Sequence, residues 1–110
     1  MSYVKPRCLE AAEIQTALSK LKGWSGDQHG IRRKLVFGDF RVAMAFMQAC
    51  IEGIERRDHH PVWCNTYNTL EIRLNTHAAG NRVTEKDLDL AEFLDSILGE
   101  APQDFGRSRG

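Results

Sequence analysis

The chain is poor in the features that mark several common protein classes. It has three cysteines in 110 residues, at positions 8, 50 and 64, and no CxxC pair. This odd, scattered set argues against a disulfide framework and a cysteine-based zinc site, and it favours the reduced thiols of a cytoplasmic protein. No apolar run approaches the roughly 20 residues that span a bilayer, and the first residues show no signal-peptide core. We therefore expect no membrane association.

An excess of charge of either sign is also missing. Lys and Arg together number 15, as do Asp and Glu, so the formal net charge is zero. A general nucleic-acid binder usually carries a basic excess, so we expect no direct nucleic-acid partner. A neutral chain lacks charge repulsion against self-association, which leaves room for a homo-oligomer.

What is present suits one soluble domain. Apolar residues make up 42% and charged residues 27% of the chain, a balance that is typical of a globular protein of this length. The end of the chain, GEAPQDFGRSRG, is rich in Gly, Pro and polar residues. We predict a single domain over residues 1–98 and a flexible tail over 99–110.

Hydrophobic periodicity predicts seven elements in the order α-β-β-α-β-β-α. They are a helix over 9–21, a short strand around Trp24, a strand over 31–37, a helix over 40–56 capped by Asp39, two strands joined at Tyr67-Asn68, and a helix that begins at Thr84. The long helix carries a wide apolar stripe: Phe40, Ala43, Phe46, Met47, Cys50, Ile51 and Ile54. Short hairpins and one-sided strands predict an α+β fold, a four-stranded antiparallel sheet with three helices packed on one face.

Three of the four histidines are predicted to lie where elements end. His59 and His60 follow the long helix and His77 ends a strand, whereas His29 lies in a polar, surface-like run. Histidine is well suited to proton transfer near neutral pH because its ordinary pKa is about 6.5. A nearby carboxylate, for which Glu55 and Asp87 are candidates, could fix a ring tautomer.

Structural explanations compete with these catalytic ones. A His-His pair in a loop can be incidental, and Trp63 on a strand can be core rather than a flat wall for a planar ligand. Asp87 is also accounted for as the fourth residue of a TEKD capping box. Three histidines and a carboxylate could hold zinc, but there is no HxH or HxxxH spacing, so we expect no metal. GxSxG and glycine-rich phosphate motifs are absent.

Several motifs together resemble a known family. The stretch from Glu55 to Asn68, ERRDHHPVWCNTYN, is similar to the signature of the pterin-4a-carbinolamine dehydratases, in which a glutamate precedes HHPxW and a tyrosine. LNTH, at 74–77, looks like the family's L-x-T-H, and TEKDLDLA, at 84–91, looks like its T-E-x-D-x-x-L-A. The resemblance covers about residues 9–98 and includes the upstream segments at 23–24, 37–40 and 43–46.

The resemblance implies a fold, a reaction and a setting. The fold would be a four-stranded antiparallel sheet with three helices on one side, assembled as a homodimer or homotetramer. The substrate would be the 4a-hydroxytetrahydropterin that aromatic amino acid hydroxylases leave behind. The product would be quinonoid dihydropterin, and neither a metal nor a bound cofactor would be needed.

The resemblance also implies roles for individual residues. His59 and His77 would act as general acids toward the 4a-hydroxyl group, and His60 would position the pterin. Asp87 would orient a histidine, Glu55 would support the turn that contains Pro61, and Trp63 would border the ring. The loop between His77 and Asp87 is one residue longer than is usual and carries Asn81-Arg82 where glycine is common, which affects how Asp87 is placed.

A second hypothesis is a binding or assembly role. Relatives of this fold serve as dimerisation partners of transcription factors or as assembly factors for a carboxylating enzyme, and such proteins need not keep every histidine. This chain keeps all three, which favours the enzyme. Both roles could also coexist, because a pocket and an outer surface are separate.

Overall fold

The computed structural model describes residues 6–100, and its main elements follow the predicted order. The helices are α1 (Ala11–Leu18), α2 (Phe40–Arg57) and α3 (Glu85–Glu100). The strands are β1 (Ser25–Asp27), β2 (Gly30–Val36), β3 (Val62–Thr66) and β4 (Thr69–Leu74), and a single 3-10 turn covers His77–Ala79.

The four strands form one antiparallel sheet in the order β1-β2-β4-β3. Two tight hairpins build it, because Asp27 pairs with Gly30 and Thr66 pairs with Thr69. The second hairpin turns at Tyr67-Asn68, as predicted, and Tyr67 takes a left-handed conformation with φ 51°. This turn places β3 at one edge of the sheet, directly after the histidine segment.

One face of the sheet carries the core. In β4, Leu70, Ile72 and Leu74 are buried, whereas Glu71 and Arg73 between them are exposed. The helices cover the apolar face, so the predicted α+β fold is confirmed. None of the helices described between residues 6 and 100 combines the length and apolar character that crossing a bilayer requires.

Helix α2 begins and packs largely as its pattern predicts. Asp39 caps it, since its Oδ1 accepts a hydrogen bond from the Val42 backbone N–H at 2.9 Å. The buried stripe is narrower than predicted: Ala43, Phe46, Cys50, Gly53 and Ile54. Phe40 and Ile51 are 46% and 48% exposed, so their assignment to the buried face was wrong. The sheet and α3 cover only part of the apolar arc of α2.

The end of α2 packs closely against α3 through a glycine. A Cβ atom built on Gly53 would lie 2.0 Å from Cζ of Phe93, so no larger residue fits there without movement. The Arg57 guanidinium lies over the Phe93 ring, 4.3 Å from its centroid, and its Nε donates to Asp89 Oδ2 at 2.8 Å. These contacts fix the chain that leaves α2 against the first turns of α3.

Helix α3 continues through Gly99 to Glu100, two residues into the segment for which a flexible tail was predicted. Residues 101–110 of that tail lie outside the described residues. The single-domain boundary at residue 98 therefore stays a prediction.

Candidate active site

The histidine pair follows an abrupt end of α2. Asp58 takes a left-handed conformation (φ 50°, ψ 42°), and its backbone N–H donates to the Glu55 carbonyl oxygen at 3.1 Å. His59 and His60 then lie in a short irregular stretch before β3, consistent with the bias of Pro61 against helix in the preceding residue. This turn directs the two rings to different partners.

His59 contacts the carboxylate of Asp87 on α3. Its Nε2 lies 2.6 Å from Asp87 Oδ1, across 28 residues of sequence. The Asp87 side chain is fully buried and that of His59 is 11% exposed, so the ring closes off the carboxylate yet still reaches the surface. The short distance and the burial of Asp87 make this a hydrogen bond that is shielded from water.

Two buried threonines, Thr76 and Thr84, bind the Asp87 oxygen that does not contact His59, and we call them the threonine pair. Asp87 Oδ2 accepts hydrogen bonds from Thr76 Oγ1 at 2.8 Å and from the Thr84 backbone N–H at 2.9 Å. The two threonine hydroxyl groups are 2.7 Å apart. The bond from the Thr84 N–H to Asp87 is the capping-box contact. The Asp87 side chain therefore caps α3 with one oxygen and contacts His59 with the other.

The long loop before α3 keeps Asp87 within reach of His59. The Thr76 N–H donates to the Arg82 carbonyl oxygen at 2.9 Å, and the Asn81 N–H donates to the Thr76 carbonyl oxygen at 3.0 Å. Gly80 and Asn81 both take left-handed conformations, with φ 77° and 62°. This turn closes the loop at the Thr76–Arg82 bridge, and α3 begins at Glu85 shortly after it, so that Asp87 in its first turn meets His59.

His77 does not end a strand, and the prediction that placed it there was wrong. Strand β4 stops at Leu74, and His77 is the first residue of the 3-10 turn. Its Nδ1 lies 3.2 Å from Asn81 Oδ1 and its side chain is exposed. His77 directly follows Thr76 in the chain, and the Thr76 hydroxyl donates a hydrogen bond to Asp87, the partner of His59.

His60 points to the rim of the site. Its Nε2 lies 2.6 Å from Glu55 Oε2, and the two side chains are 56% and 66% exposed. Together with Pro61, Trp63, Ile51 and Ile54 they line a depression of about 180 Å³. Pockets that enclose a drug-sized ligand measure about 300–1,000 Å³, so this surface can form one wall beside a planar ring and does not enclose it.

The sequence-predicted residues thus form two groups. Asp87 and His59 make a buried pair, and Glu55, His60, Pro61 and Trp63 make an exposed wall, with His77 on the turn next to Thr76. His29 is exposed in the β1–β2 turn, as expected. Between residues 6 and 100, no three or more His, Cys, Asp or Glu side chains are arranged to hold a metal ion.

Two larger cavities lie elsewhere on the surface, and the second of them shares Trp63 with the exposed wall. One of about 770 Å³ lies between α1 and α3, and one of about 550 Å³ lies over strands β2, β4 and β3. Neither has a histidine in its lining. Of these three surfaces, the smaller depression is the one with a histidine, His60, in its lining.

The sequence interpretation missed three residues that contact the predicted ones. Thr76 and Thr84 bind Asp87, and Asn81 lies against His77. Thr76 did leave a signal, since it continues the buried alternation of Leu70, Ile72 and Leu74 as a polar side chain. A buried hydroxyl in such a row needs a hydrogen-bonding partner. Asn81 left no comparable signal.

The fold and the site describe a small α+β domain in which two adjacent histidines are each paired with a carboxylate. Comparison with known proteins then identifies the family. A family model described as pterin 4 alpha carbinolamine dehydratase matches residues 7–97. The chain belongs to the pterin-4a-carbinolamine dehydratase family, whose enzymes are hydro-lyases.

Individual relatives agree with this assignment. A protein of Opitutus terrae with the provisional name pterin-4-alpha-carbinolamine dehydratase is 41% identical over 84% of this chain and 95% of its own length. One from a Bradyrhizobium species, with the same provisional name, is 46% identical over 79% of this chain and 90% of its own. A crystal structure from Brucella melitensis, titled transcriptional coactivator/pterin dehydratase, superposes with a TM-score of 0.78 at 36% identity. It covers 83% of this chain and 98% of that one.

Proposed function

We propose that this chain dehydrates 4a-hydroxytetrahydrobiopterin to quinonoid dihydropterin and water, with histidines as the only proton-transfer groups. The observation that carries the proposal is the 2.6 Å contact between His59 Nε2 and the buried Asp87 carboxylate. A carboxylate held in this way orients a histidine ring and fixes its tautomer. The ring nevertheless reaches the surface, where a substrate can meet it.

The reaction needs one proton to be delivered and one to be removed. A general acid protonates the 4a-hydroxyl group as the bond between the 4a carbon and this oxygen breaks, and water leaves. The N5 lone pair forms the double bond to the 4a carbon as water leaves, and the N5 proton then passes to a base, which leaves the electrons of the N5–H bond on N5 as a lone pair. No electron transfer is involved, so histidines suffice and no bound cofactor is needed.

The two groups of site residues divide this work. His59 and His77 serve as general acids toward the hydroxyl group, and Asp87 orients His59. His60, supported by Glu55, positions the pterin beside Pro61, with the Trp63 ring as the flat apolar border of the depression. General acid–base catalysis of this kind contributes roughly 10²–10⁴-fold to a rate.

The test is a coupled assay in which phenylalanine hydroxylase generates the 4a-carbinolamine and its absorbance decay is followed with and without this protein. Wild-type protein is expected to accelerate the decay. His59→Ala and His77→Ala are each expected to lower turnover by about 10²-fold. His29→Ala is the matched control, because this histidine is exposed in a turn outside the site. Equal turnover in all four proteins would refute the assigned roles.

The proposed setting is the cytoplasm, where the protein would serve an aromatic amino acid hydroxylase and support tetrahydrobiopterin recycling. A homodimer or homotetramer is supported by the zero net charge and by the exposure of Phe40 and Ile51 on α2. Light scattering on the purified protein tests this part, and a monomer at micromolar concentration would contradict it.

A binding or assembly role is the second candidate. The same exposed residues of α2 favour it, because unpaired apolar side chains mark interaction surfaces. The Brucella protein carries the term coactivator in its name. A stoichiometric complex with another protein, found together with no dehydratase activity of the purified chain, would favour this role over the enzyme.

A further inference from the structure

We propose that Thr76 is a positioning residue for His59. Through Asp87 it holds the His59 ring in the tautomer with hydrogen on Nε2, so that Nδ1 is the nitrogen that exchanges protons with the substrate. The catalytic part of this inference rests on the proposed dehydration. The part that concerns the tautomer is a property of the protein alone.

Three polar groups converge on the Asp87 carboxylate. The Thr76 hydroxyl and the Thr84 backbone N–H both reach Oδ2, and His59 Nε2 reaches Oδ1. A carboxylate with this set of contacts only accepts hydrogen bonds, so the hydrogen of each contact belongs to the partner. The His59 ring therefore carries a hydrogen on Nε2.

Assigning each hydrogen to one donor also fixes the direction of the hydrogen bond between the two threonine hydroxyl groups. A hydroxyl group has one hydrogen, and that of Thr76 is committed to Asp87. The Thr84 hydroxyl must then donate to Thr76 Oγ1, 2.7 Å away. Its own oxygen accepts from the Lys86 backbone N–H at 3.2 Å. Each of these donors has an acceptor, so the hydrogen bonds that run from α3 to His59 all have a defined direction.

This orientation fixes what His59 offers to a substrate. With hydrogen on Nε2, the neutral ring has its lone pair on Nδ1, and the protonated ring carries its second hydrogen there. In the dehydration, the Nδ1 hydrogen passes to the 4a-hydroxyl oxygen as the bond to the 4a carbon breaks. The ring is left neutral and still bound to Asp87. A separate base takes the N5 proton, as in the proposed dehydration.

Thr76 matters more than Thr84 because of how each reaches Asp87. Thr84 uses its backbone N–H, which any side-chain substitution leaves in place. Thr76 uses only its hydroxyl group, and it is 2% exposed, so water cannot replace it easily. Without that hydroxyl, Oδ2 keeps one donor and the carboxylate gains freedom to rotate.

The experiment compares Thr76→Val, Thr76→Ser and Thr84→Val in the full chain. The ¹⁵N NMR signals of the His59 ring nitrogens, at a pH where the ring is neutral, report the tautomer, and the coupled assay reports turnover. Thr76→Val should give a mixture of the two tautomers and lower turnover about tenfold, the lower end of the range for lost supporting contacts. Thr76→Ser should restore both. Thr84→Val should lose stability yet keep hydrogen on Nε2.

The other outcomes are distinct. A Thr76→Val protein with the wild-type tautomer overturns the inference, and so do equal losses of turnover in the two valine variants. A changed tautomer with unchanged turnover overturns the link to catalysis. If wild-type protein turns over no pterin but Thr76→Val still changes the tautomer, the positioning role stands and the proposed function fails.

Discussion

The two histidine–carboxylate pairs of the site have the same contact distance but opposite surroundings. His59 Nε2–Asp87 Oδ1 and His60 Nε2–Glu55 Oε2 both measure 2.6 Å. The first carboxylate is fully buried and accepts two further hydrogen bonds from the threonine pair, whose hydroxyl groups also contact each other. The second carboxylate, that of Glu55, is 66% exposed and contacts His60 at the protein surface.

This contrast shows that distance alone does not rank the two pairs. Water screens the exposed pair, and two mobile side chains lose conformational freedom when they meet, so such a pair contributes little. The buried pair is shielded, and its carboxylate is oriented before a substrate arrives. We therefore expect the His59 side of the site to control the chemistry and the His60 side to control binding.

The largest effect is expected from the two matched amide substitutions, Asp87→Asn and Glu55→Gln. The amide introduced by Asp87→Asn would place a donor among the three donors now bound by the carboxylate, so this variant should lower turnover by about 10²–10³-fold. It should also lower the free energy of unfolding by about 2–4 kcal/mol. Glu55→Gln should change turnover less than about fivefold and affect mainly KM. Equal losses in the two variants, measured by steady-state kinetics and urea unfolding, would contradict the contrast.

An intermediate effect is expected from the contact that holds α2 against α3. Gly53→Ala would place a methyl group 2.0 Å from the Phe93 ring, so the ring must move, at a cost of about 1–3 kcal/mol. Because this packing sets the distance from His59 to Asp87, turnover should fall as well. Gly99→Ala is the control, since no atom lies within 4 Å of a Cβ there, and it should stabilise α3 by about 0.5–1 kcal/mol. Urea unfolding of both variants tests this, and equal stabilities would show that α2 and α3 are not closely packed at Gly53.

The smallest effect is expected at Asn81. Asn81→Gly keeps the left-handed backbone without strain and removes only the oxygen that lies 3.2 Å from His77 Nδ1. An exposed neutral hydrogen bond is worth about 0.5–1.5 kcal/mol, so turnover should fall by roughly 2- to 10-fold. Asn81→Ala serves as the comparison, because it removes the same oxygen but strains the turn. A loss in Asn81→Gly as large as that in Asp87→Asn would place the control of the site at His77 instead.

Much of the fold could be predicted because its causes are local. Asp39 caps α2 through its own neighbour, the Tyr67-Asn68 turn follows from strand lengths, and the β4 alternation shows which face is buried. The boundaries of the buried stripe on α2 could not be predicted in this way. Phe40 and Ile51 look like core residues in sequence, and only the extent of the sheet and α3 decides that they stay exposed.

The sequence by itself determined which residue types are available: three histidines near element ends, two carboxylates, and a tryptophan after proline. Tertiary structure alone decided how they are paired. Asp87 is 28 residues from His59 and 11 from Thr76, and no local rule links positions so far apart. The pairing depends on Gly53 letting α2 approach α3 and on the turn at Gly80-Asn81 setting where α3 begins. Long-range packing therefore separates the buried histidine from the exposed one, although the two are adjacent in the chain.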